Sequence, residues 1–540
     1  MTPRDLGLWV DNWRHQQWSA VEQAVEAFSV GKRFVSYALQ TGSGKSLVGM
    51  AVARILQEAG EIKGRTVALT AFKGLQDQYL YDAKNIGMVD IRGKGNYRCK
   101  EFGVTCEEAW PLCGGQRENL TCADSDGGGY KAAYHSALGS RLVVTNYDYW
   151  CRVPTLAEGT DLLILDEAHE ADSAVCDALK VSVSDTTLRH LGGNDCKFPW
   201  PTGKNIKPGW EIEVLPRLLY VVRELVAELT QRVKLGGAVL IGVGQKLAQA
   251  QRLEAGLSGV RNDSNWVAWS GESAVGRWVK YEPVWAGRYA EGVLFQNVPR
   301  VLMMSGTLKP KVLGLLGIKK DAGNVEYKEW GPVFKWSKCP VIWVKGGMMK
   351  YNAPRSEFDK VCRLTEEMVK TRAVESDRPG LVQTVSYDRT SEYVGVSKYR
   401  ELMITHGVGG TWEAVEKYKE EVRKGRAVVL VSPSIGTGYD FADGLARWQV
   451  LMKVPFVSTQ DPVMKARCDN DKGYAMHLTM TELAQMCGRI CRNERDWGET
   501  VVMDNNIGWF MRSYAGLAPK GFKVAGPREG LPEVVPEGGR

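Results

Sequence analysis

The sequence has 540 residues, a length typical of about three or four structural units. Hydrophobic residues make up 44% and charged residues 25%, so the composition excludes a disordered chain, a collagen-like chain and a small disulfide-rich domain. The 70 lysines and arginines outnumber the 63 acidic residues, and the net charge of +7 permits a polyanionic partner without requiring one.

The sequence contains no candidate membrane span. Its first residues lack the apolar segment of a secretory signal, and no run approaches the ~18 consecutive apolar residues of a transmembrane helix. We therefore expect a cytoplasmic protein with no membrane partner. In that compartment clustered cysteines bind metal more often than they form disulfides. Four of the 12 cysteines lie between Cys99 and Cys122, so a metal or iron–sulfur site is expected there.

Short apolar runs alternate with helical patterns in the first third of the chain, which predicts strands of a buried parallel sheet. These runs lie at 34–39, 67–71, 142–145 and 162–165. The rhythm changes at 175–280, where a turn-rich stretch precedes a long apolar helical stripe that begins at Leu215. This change predicts an inserted helical subdomain. Strand-like runs resume at 301–304, 381–385, 428–431, 449–454 and 500–503, and they predict a second α/β lobe.

A phosphate-binding loop is predicted at 39–46 (LQTGSGKS), between a strand and a helical pattern. Its glycines let backbone N–H groups face phosphate, Lys45 reaches the β- and γ-phosphates, and the Ser46 hydroxyl meets Mg²⁺. Leu39 stands where the full pattern has glycine, and the alternative is a Gly-Ser turn with a chance lysine. The predicted nucleotide-binding residues of this loop are Thr41, Gly42, Ser43, Gly44, Lys45 and Ser46.

The strand-like run 162–165 leads directly into Asp166, Glu167, Ala168 and His169, here called the DEAH segment. A parallel sheet presents its ligand-binding groups at the carboxyl ends of its strands. We expect Asp166 to hold Mg²⁺ and Glu167 to orient and deprotonate the attacking water. The segment alone could be the acidic start of a helix. Together with the phosphate-binding loop it predicts an ATPase.

Two arginines near the end of the chain are candidates for stabilising the transferred phosphoryl group. Arg489 and Arg492 lie three residues apart, so on a helix they share one face and converge on one anion. Cations supplied from a second lobe neutralise charge that develops during phosphoryl transfer. The alternative is an exposed basic helix face.

The order of these and further motifs resembles the XPD/DinG-type helicases of superfamily 2 over roughly residues 13–515. One departure is Gly306, which stands where the third motif usually has alanine. The matching segments are RHQQ (14–17), TAFKGLQDQ (70–78), NYDYW (146–150), LMMSGTL (302–308), GLVQTVSY (380–387), SIGTGYDFADG (434–444), VPF (454–456) and QMCGRICRNERDWG (485–498).

The resemblance implies roles for further residues. Gln17 is the better candidate for reading adenine, with Gln16 the alternative, and Gly438 and Asp440 are further nucleotide-binding candidates. The implied catalytic residues are Lys45, Asp166, Glu167, His169, Gln485, Arg489 and Arg492.

The resemblance also implies two RecA-like lobes of an α/β fold. The first is expected at 1–310, interrupted by a cysteine insert at 92–135 and a helical, arch-like insert at 175–280. The second is expected at 311–517. The remaining residues, 518–540, are rich in proline and glycine and are predicted to form a flexible tail.

The clustered cysteines lie where this family carries a 4Fe–4S domain. The predicted ligands are Cys99, Cys106, Cys113 and Cys122, spaced C-x6-C-x6-C-x8-C, whereas the family commonly has a long gap followed by closer pairs. Four thiolates hold either a 4Fe–4S cluster or tetrahedral Zn²⁺, and the resemblance favours the cluster. Cys151 is a possible substitute ligand.

The leading functional hypothesis is an ATP-dependent DNA helicase that uses Mg²⁺ and acts as a monomer on single-stranded and forked DNA, in repair or replication. Its 5′→3′ direction is implied by the resemblance alone. The alternatives are an ATP-driven translocase or RNA remodeller that does not separate strands, and a catalytically silent binding scaffold. Basic residues at 92–100 and the tryptophans at 266–285 are candidate DNA contacts, although a solvated loop and core packing explain them equally or better.

Overall fold

The computed structural model describes residues 1–100, 102–113, 129–201, 209–235, 240–274, 276–350, 352–436, 438–493 and 495–536. Its strands are β1 (Phe34–Ala38), β2 (Arg65–Thr70), β3 (Met88–Asp90), β4 (Leu142–Asn146), β5 (Thr160–Asp166), β6 (Val181–Ser184), β7 (Trp266–Ser273), β8 (Gly276–Pro283), β9 (Arg300–Ser305), β10 (Val325–Glu329), β11 (Val341–Gly347), β12 (Gly380–Gln383), β13 (Met403–Ile404), β14 (Val429–Ser432), β15 (Trp448–Leu451), β16 (Glu499–Asp504) and β17 (Val524–Arg528).

The helices alternate with the strands in both lobes. They are α1 (Gln17–Ser29), α2 (Lys45–Glu58), α3 (Lys73–Asp82), α4 (Cys106–Cys113), α5 (Tyr130–Gly139), α6 (Tyr147–Arg152), α7 (Ala171–Leu179), α8 (Asp185–Gly192), α9 (Trp210–Glu213), α10 (Leu215–Leu235), α11 (Leu240–Gly259), α12 (Pro310–Leu315), α13 (Arg355–Val369), α14 (Tyr387–Val396), α15 (Thr411–Arg423), α16 (Pro462–Asn470), α17 (Tyr474–Cys487) and α18 (Asn506–Tyr514). No helix within the described ranges combines the length and apolarity needed to cross a bilayer.

Two parallel sheets of seven strands each form the two RecA-like lobes, which confirms the predicted fold class. The first sheet has the order β10-β1-β9-β5-β2-β4-β3, and the second has the order β13-β14-β12-β15-β16-β11-β17. Each of the predicted apolar runs coincides with a strand. These strands are buried on both faces between helices, which is why they read as continuous apolar runs in the sequence.

The ends of the lobes differ from the predicted boundaries. Strand β10 lies beyond residue 310 but pairs in parallel with β1 of the first sheet. Its sequence, VEYKE, mixes apolar and charged residues because β10 is an edge strand, and it therefore lacks the apolar signal of a central strand. The first lobe thus extends to the segment that links β10 to β11.

The predicted flexible tail also differs from the structure over its described part. Strand β17 adds to the edge of the second sheet by pairing with β11. The guanidinium of Arg372 donates to the Pro532 carbonyl oxygen at 2.6 Å, and Arg378 donates to the Val535 carbonyl oxygen at 2.6 Å. Backbone groups make these contacts, so a segment rich in proline and glycine is held without an apolar side-chain pattern.

The helical insert contains a sheet that the sequence analysis missed. Strands β6, β8 and β7 form a three-stranded antiparallel sheet, in this order, and the long helices α10 and α11 pack on it around a separate apolar core. The strand GRWVKYEP (276–283) alternates buried and partly exposed positions towards its end, the period of a half-buried strand. The insert is therefore mixed α/β rather than all helical.

Candidate functional site

The phosphate-binding loop connects the end of β1 to the first turn of α2. Gly42 and Gly44 have positive φ angles of 83° and 80°, a backbone conformation that favours glycine. A Cβ atom at Gly42 would lie 2.6 Å from the carbonyl oxygen of Arg492, so this glycine also permits close contact with the second lobe. Helix α2 directs its N-terminal N–H groups and the positive end of its dipole at the loop, an arrangement that binds anions.

The DEAH segment lies directly opposite this loop, at the carboxyl end of β5. The Lys45 ammonium forms an ion pair with the Glu167 carboxylate, with Nζ 3.0 Å from Oε1. The Ser46 hydroxyl donates to Asp166 Oδ2 at 3.3 Å. The structure therefore brings together the predicted magnesium-binding pair, Ser46 and Asp166, and the predicted base with the phosphate-binding lysine.

Two tyrosines that the sequence analysis did not single out hold Asp166 in place. The Tyr79 hydroxyl donates to Asp166 Oδ2 at 2.9 Å, and the Tyr147 hydroxyl donates to the Asp166 backbone carbonyl at 3.0 Å. Both tyrosines are buried. Tyr147 lies inside the NYDYW segment, so that motif carried a signal for this role, whereas Tyr79 lies just beyond the TAFKGLQDQ motif.

The electrostatics of the two carboxyl groups differ. Burial raises the pKa of Asp166 above its usual value. Burial would also raise the pKa of Glu167, but Lys45, His169 and Arg489 outweigh it and hold that pKa at about 2. Glu167 is therefore ionised at neutral pH.

His169 joins three motifs at the interface between the lobes. Its Nδ1 lies 2.7 Å from the Ser305 hydroxyl, which in turn donates to Glu167 Oε2 at 3.3 Å. Its Nε2 lies 2.5 Å from the side-chain amide nitrogen of Gln485, in the second lobe. Burial alone would lower the pKa of His169, but the Glu170 and Glu167 carboxylates raise it overall. His169 is thus the link from the DEAH segment to the second lobe.

The two candidate arginines approach the same site from the second lobe. Arg489 is buried, donates to the Tyr439 carbonyl oxygen at 2.6 Å, and is close enough to Glu167 to stabilise its charged form. Arg492 also donates to that carbonyl, at 3.2 Å, and pairs with Asp440 at 3.0 Å. Asp440, predicted to contact nucleotide, therefore contacts an arginine of the site.

Of the remaining predicted nucleotide-binding residues, Gln17 contacts the phosphate-binding loop, whereas Gln16 and Gly438 face other parts of the structure. The Gln17 amide donates to the Ser43 carbonyl oxygen at 2.7 Å and accepts from the Arg14 N–H at 2.8 Å, whereas Gln16 donates to the Gly331 carbonyl oxygen. Gly438 faces Phe72 of the first lobe, which would lie 3.7 Å from a Cβ atom there.

The unusual Gly306 is explained by its packing against the loop. A Cβ atom at Gly306 would lie 2.7 Å from the Thr41 hydroxyl and 3.2 Å from the Thr41 backbone nitrogen. The alanine usual in the family would therefore force Thr41 to move. Glycine at this position is coupled to the conformation of the phosphate-binding loop.

The cysteine insert is described for part of its length. Cys99 and Cys106 are both buried, and they flank an antiparallel bridge between Arg98 and Thr105. The Cys106 N–H donates to the Tyr97 carbonyl oxygen at 2.8 Å. The backbone therefore places the two cysteines on either side of one bridged pair of residues.

Of the other two predicted ligands, Cys113 lies in a described helix. Cys113 ends helix α4, which Cys106 begins, so the two lie about two helical turns apart on one helix. Cys122 lies outside the described residues. Among the described residues, no three His, Cys, Asp or Glu side chains come together to hold a metal ion, so Cys99 and Cys106 supply two of the four predicted ligands. The possible substitute ligand, Cys151, lies near the end of α6, the helix that follows β4. Burial raises the pKa of its thiol to about 12.

A cavity of about 900 Å³ lies between the cysteine insert, the first lobe and helix α11 of the helical insert. Its lining includes the aromatic rings of Phe72 and Tyr149. The charged groups of the lining are four cations and four carboxylates, namely Lys73, Lys94, Arg152, Arg252, Glu107, Asp148, Glu170 and Asp177. Aromatic rings and cations are features that bind single-stranded nucleic acid.

The predicted basic residues divide between this cavity and other contacts. Lys94 lines the cavity, and its ammonium lies 3.6 Å from the ring centre of Trp110. Arg92 instead pairs with Asp77 and Asp90. The side chains of Arg98 and Lys100 are exposed.

The tryptophans at 266–285 pack mainly within the protein, as the sequence analysis favoured. Trp269 and Trp278 contact each other edge to face with ring centres 4.9 Å apart, and Lys280 lies over both rings. Trp266 is buried. Trp285 packs on Tyr474 of the second lobe, with ring centres 5.2 Å apart.

Comparison with known proteins agrees with this geometry. Residues 381–523 match a family model described as a helicase C-terminal domain, and residues 11–189 match one described as the res subunit of type III restriction enzymes. These regions contain the second-lobe motifs and the phosphate-binding loop with the DEAH segment, respectively.

Curated relatives match over a short region. The XPD helicase subunit of general transcription and DNA repair factor IIH from Dictyostelium discoideum is 26% identical over 17% of this chain and 13% of that protein. Its counterpart XPD/RAD3 from Saccharomyces cerevisiae is 27% identical over 17% of this chain and 14% of that protein. The chain thus matches about an eighth of the length of these relatives.

Solved structures match over nearly the whole chain. An XPD helicase structure superposes with a TM-score of 0.64 at 15% identity, covering 95% of this chain and 99% of that one. The structure of S. tokodaii Xpd4 gives a TM-score of 0.56 at 14% identity, covering 95% of this chain and all of that one. The fold of this chain is thus similar to that of XPD helicase structures, and its two lobes match a helicase C-terminal model and a restriction-enzyme res-subunit model.

Proposed function

We propose that this protein is an ATP-dependent DNA helicase that couples ATP hydrolysis to movement along single-stranded DNA and to duplex separation. The observation that carries the proposal is the contact between Lys45 and Glu167 at the end of one parallel sheet, with Arg489 supplied from the other lobe. ATP bound there would touch both lobes at once. Its hydrolysis would therefore change how the lobes are held together.

The residues of the site support distinct roles in hydrolysis. Lys45 is paired with Glu167, so the phosphates of ATP must compete with that carboxylate for the ammonium. Displacement frees Glu167, which is ionised, to accept a proton from the attacking water. Mg²⁺ held by Ser46 and Asp166 would neutralise phosphate charge when bound. Arg489 and Arg492 would stabilise the charge that develops on the transferred phosphoryl group.

The contact between His169 and Gln485 supports a route from hydrolysis to movement. It joins the DEAH segment to α17 of the second lobe through buried side chains. A change at Glu167 therefore reaches the second lobe through Ser305 and His169, which share hydrogen bonds.

Replacing Lys45 with alanine is expected to abolish ATP hydrolysis, because the loop then lacks its cation and Glu167 loses its partner. The loss should be at least about 100-fold in kcat/KM. Steady-state phosphate release measured with and without single-stranded DNA checks this. Hydrolysis that is unchanged in the variant, or that DNA does not stimulate in the wild type, would contradict the proposal.

Single-stranded DNA is the proposed partner, and the cavity of about 900 Å³ supports this choice. Binding that depends on phosphate contacts should weaken as salt rises. Displacement of the labelled strand from a duplex with a 5′ tail tests both strand separation and the 5′→3′ direction. A pure translocase or RNA remodeller would hydrolyse ATP but release no DNA strand.

We further propose that the cysteine insert holds a 4Fe–4S cluster, with zinc as the alternative. The buried pair Cys99 and Cys106 supports a thiolate-bound metal, and the resemblance to XPD/DinG-type proteins supports iron and sulfide. In this proposal the two lobes, one for each seven-stranded sheet, bind ATP between them. The cysteine insert and the helical insert border the cavity proposed to bind DNA.

Protein purified without oxygen is expected to be brown, with about four iron and four sulfide per chain if a 4Fe–4S cluster is present. Replacing Cys99 or Cys106 with serine should bleach it and remove most of the iron, because each thiolate is lost from the donor set. Cys362→Ser is the matched control, since Cys362 is a buried thiol in α13 of the second lobe. Stoichiometric zinc without iron would refute the cluster.

A further inference from the structure

A junction away from the ATP site joins the second lobe to the exit of the helical insert. Arg467 lies in α16 of the second lobe, and its Nε donates to the Val284 carbonyl oxygen at 2.7 Å. Val284 directly follows β8, where the chain leaves the helical insert. The same guanidinium donates to the Tyr474 hydroxyl at 3.1 Å. The Arg467 side chain of the second lobe thus forms a hydrogen bond with the segment that leaves the helical insert.

The segment that Arg467 holds is the base of the β7–β8 hairpin. The Val284 N–H donates to the Asn265 carbonyl oxygen at 2.7 Å, and the Asn265 side chain bonds to both the N–H and the carbonyl of Trp285. Asn265 directly precedes β7, so both ends of the hairpin meet here. The Trp285 ring also packs on Tyr474 of the second lobe. A shift of α16 would therefore move the hairpin as a unit.

Arg467 also influences α7, the helix that directly follows the DEAH segment. Burial raises the pKa of Asp172 and of the Cys176 thiol, and the charge of Arg467 acts against that shift at both groups. The guanidinium of Arg467 also lies over the Trp285 ring, 5.9 Å from its centre, at the base of the hairpin.

We propose that Arg467 is a positioning residue through which nucleotide-driven movement of the second lobe reaches the base of the helical insert. This inference rests on the proposed function, because it names the route from the ATP site to the DNA-facing insert. The juxtaposition of Val284, Trp285 and Tyr474 around one guanidinium carries it.

The chain offers a matched control beside this junction. Lys311 of the first lobe pairs with Asp471 of the second at 2.5 Å, so it too bridges the lobes. Lys311 follows the SGTL segment at the start of α12 and lies outside the helical insert. A loss of coupling that is specific to the insert should therefore follow the replacement of Arg467 and not that of Lys311.

The test compares wild type with Arg467→Gln, Arg467→Lys and Lys311→Gln by hydrogen–deuterium exchange, with and without Mg²⁺ and a non-hydrolysable ATP analogue. In the wild type, nucleotide should change exchange at the peptide covering 281–290. Arg467→Gln should lose that change, whereas Arg467→Lys should restore at least part of it and Lys311→Gln should retain it. Because this readout requires nucleotide binding only, it is independent of strand separation.

The second readout is the number of base pairs separated per ATP hydrolysed. We expect Arg467→Gln to lower this ratio about five- to tenfold while DNA-stimulated kcat stays within about twofold of wild type. Wild-type protein that hydrolyses ATP without separating strands would refute the proposed function but leave the exchange test decisive. The inference is overturned if wild-type exchange at 281–290 ignores nucleotide, or if Arg467→Gln behaves like Lys311→Gln. If Arg467→Gln unfolds, Tyr474→Phe removes one hydrogen-bond partner of Arg467 and must weaken the nucleotide response at 281–290. An unaltered response in that variant overturns the inference.

Discussion

Replacing Arg489 with alanine is expected to lower DNA-stimulated kcat by about 10³- to 10⁵-fold, the range found when a cation that stabilises phosphoryl transfer is supplied or removed. Arg489 is buried and is held by two carbonyl oxygens, those of Gln485 at 3.0 Å and Tyr439 at 2.6 Å. Burial and the neighbouring Arg492 lower its pKa to about 9, so it remains charged at neutral pH. The affinity for nucleotide should fall much less, because Lys45 and the loop remain.

Two companion variants sharpen this experiment. Arg489→Lys keeps a charge but loses the planar group that bonds both carbonyls, so activity should recover only in part. Arg495→Ala removes an exposed arginine of the same segment and should leave kcat within about twofold, as is usual for surface substitutions. Single-turnover phosphate release separates chemistry from binding. Equal activities of Arg489→Ala and Arg495→Ala would exclude a catalytic role for Arg489.

Replacing Glu167 with glutamine should lower kcat by about 10²- to 10⁴-fold, because the amide cannot accept the proton of the attacking water. The structure adds a second expectation. The Glu167 carboxylate forms an ion pair with the Lys45 ammonium and so competes with phosphate for it. Removing this carboxylate should therefore leave ATP affinity equal to wild type or tighter. Equilibrium binding of a fluorescent ATP analogue, with phosphate release measured in parallel, checks both parts.

The comparison with Lys45→Ala makes this prediction specific. Both variants lose hydrolysis, but only Lys45→Ala should also bind ATP more weakly, since it removes the cation rather than its competitor. An affinity that falls in Glu167→Gln would show that the carboxylate supports nucleotide binding. Hydrolysis that persists in Glu167→Gln would assign the base to another group.

Central strands were predictable because burial on both faces leaves an apolar run in the sequence. The runs at 34–39, 162–165 and 500–503 all coincide with strands of the two sheets. Edge strands such as β10 and β17 were missed, because one side faces solvent or another segment and their sequences carry charge or proline. Because β10 carries no apolar run, the end of the first lobe was placed too early in the sequence. Because β17 carries none either, its segment was predicted to be a flexible tail.

Residues within a motif were identified, but their partners across the fold were not. Lys45 and Glu167 followed from local pattern, whereas Tyr79 carries no pattern that distinguishes it from a core tyrosine. Asp440, a predicted nucleotide contact, pairs with Arg492, and this partner was not predicted. Pairings of this kind join loops that lie far apart in the chain. A single sequence does not show which of these loops are in contact in the folded protein.

Local chemistry therefore accounts for the phosphate-binding loop, the DEAH segment and the clustered cysteines, since glycine spacing, strand-end carboxylates and thiol density are properties of neighbouring residues. Composition contributed little, because a net charge of +7 is compatible with many partners. Contacts between distant segments assemble the ATP site from two lobes. These contacts also include the hydrogen bond from Arg467 to the base of the insert. Such contacts follow from how the sheets and inserts pack, which local sequence preferences do not specify.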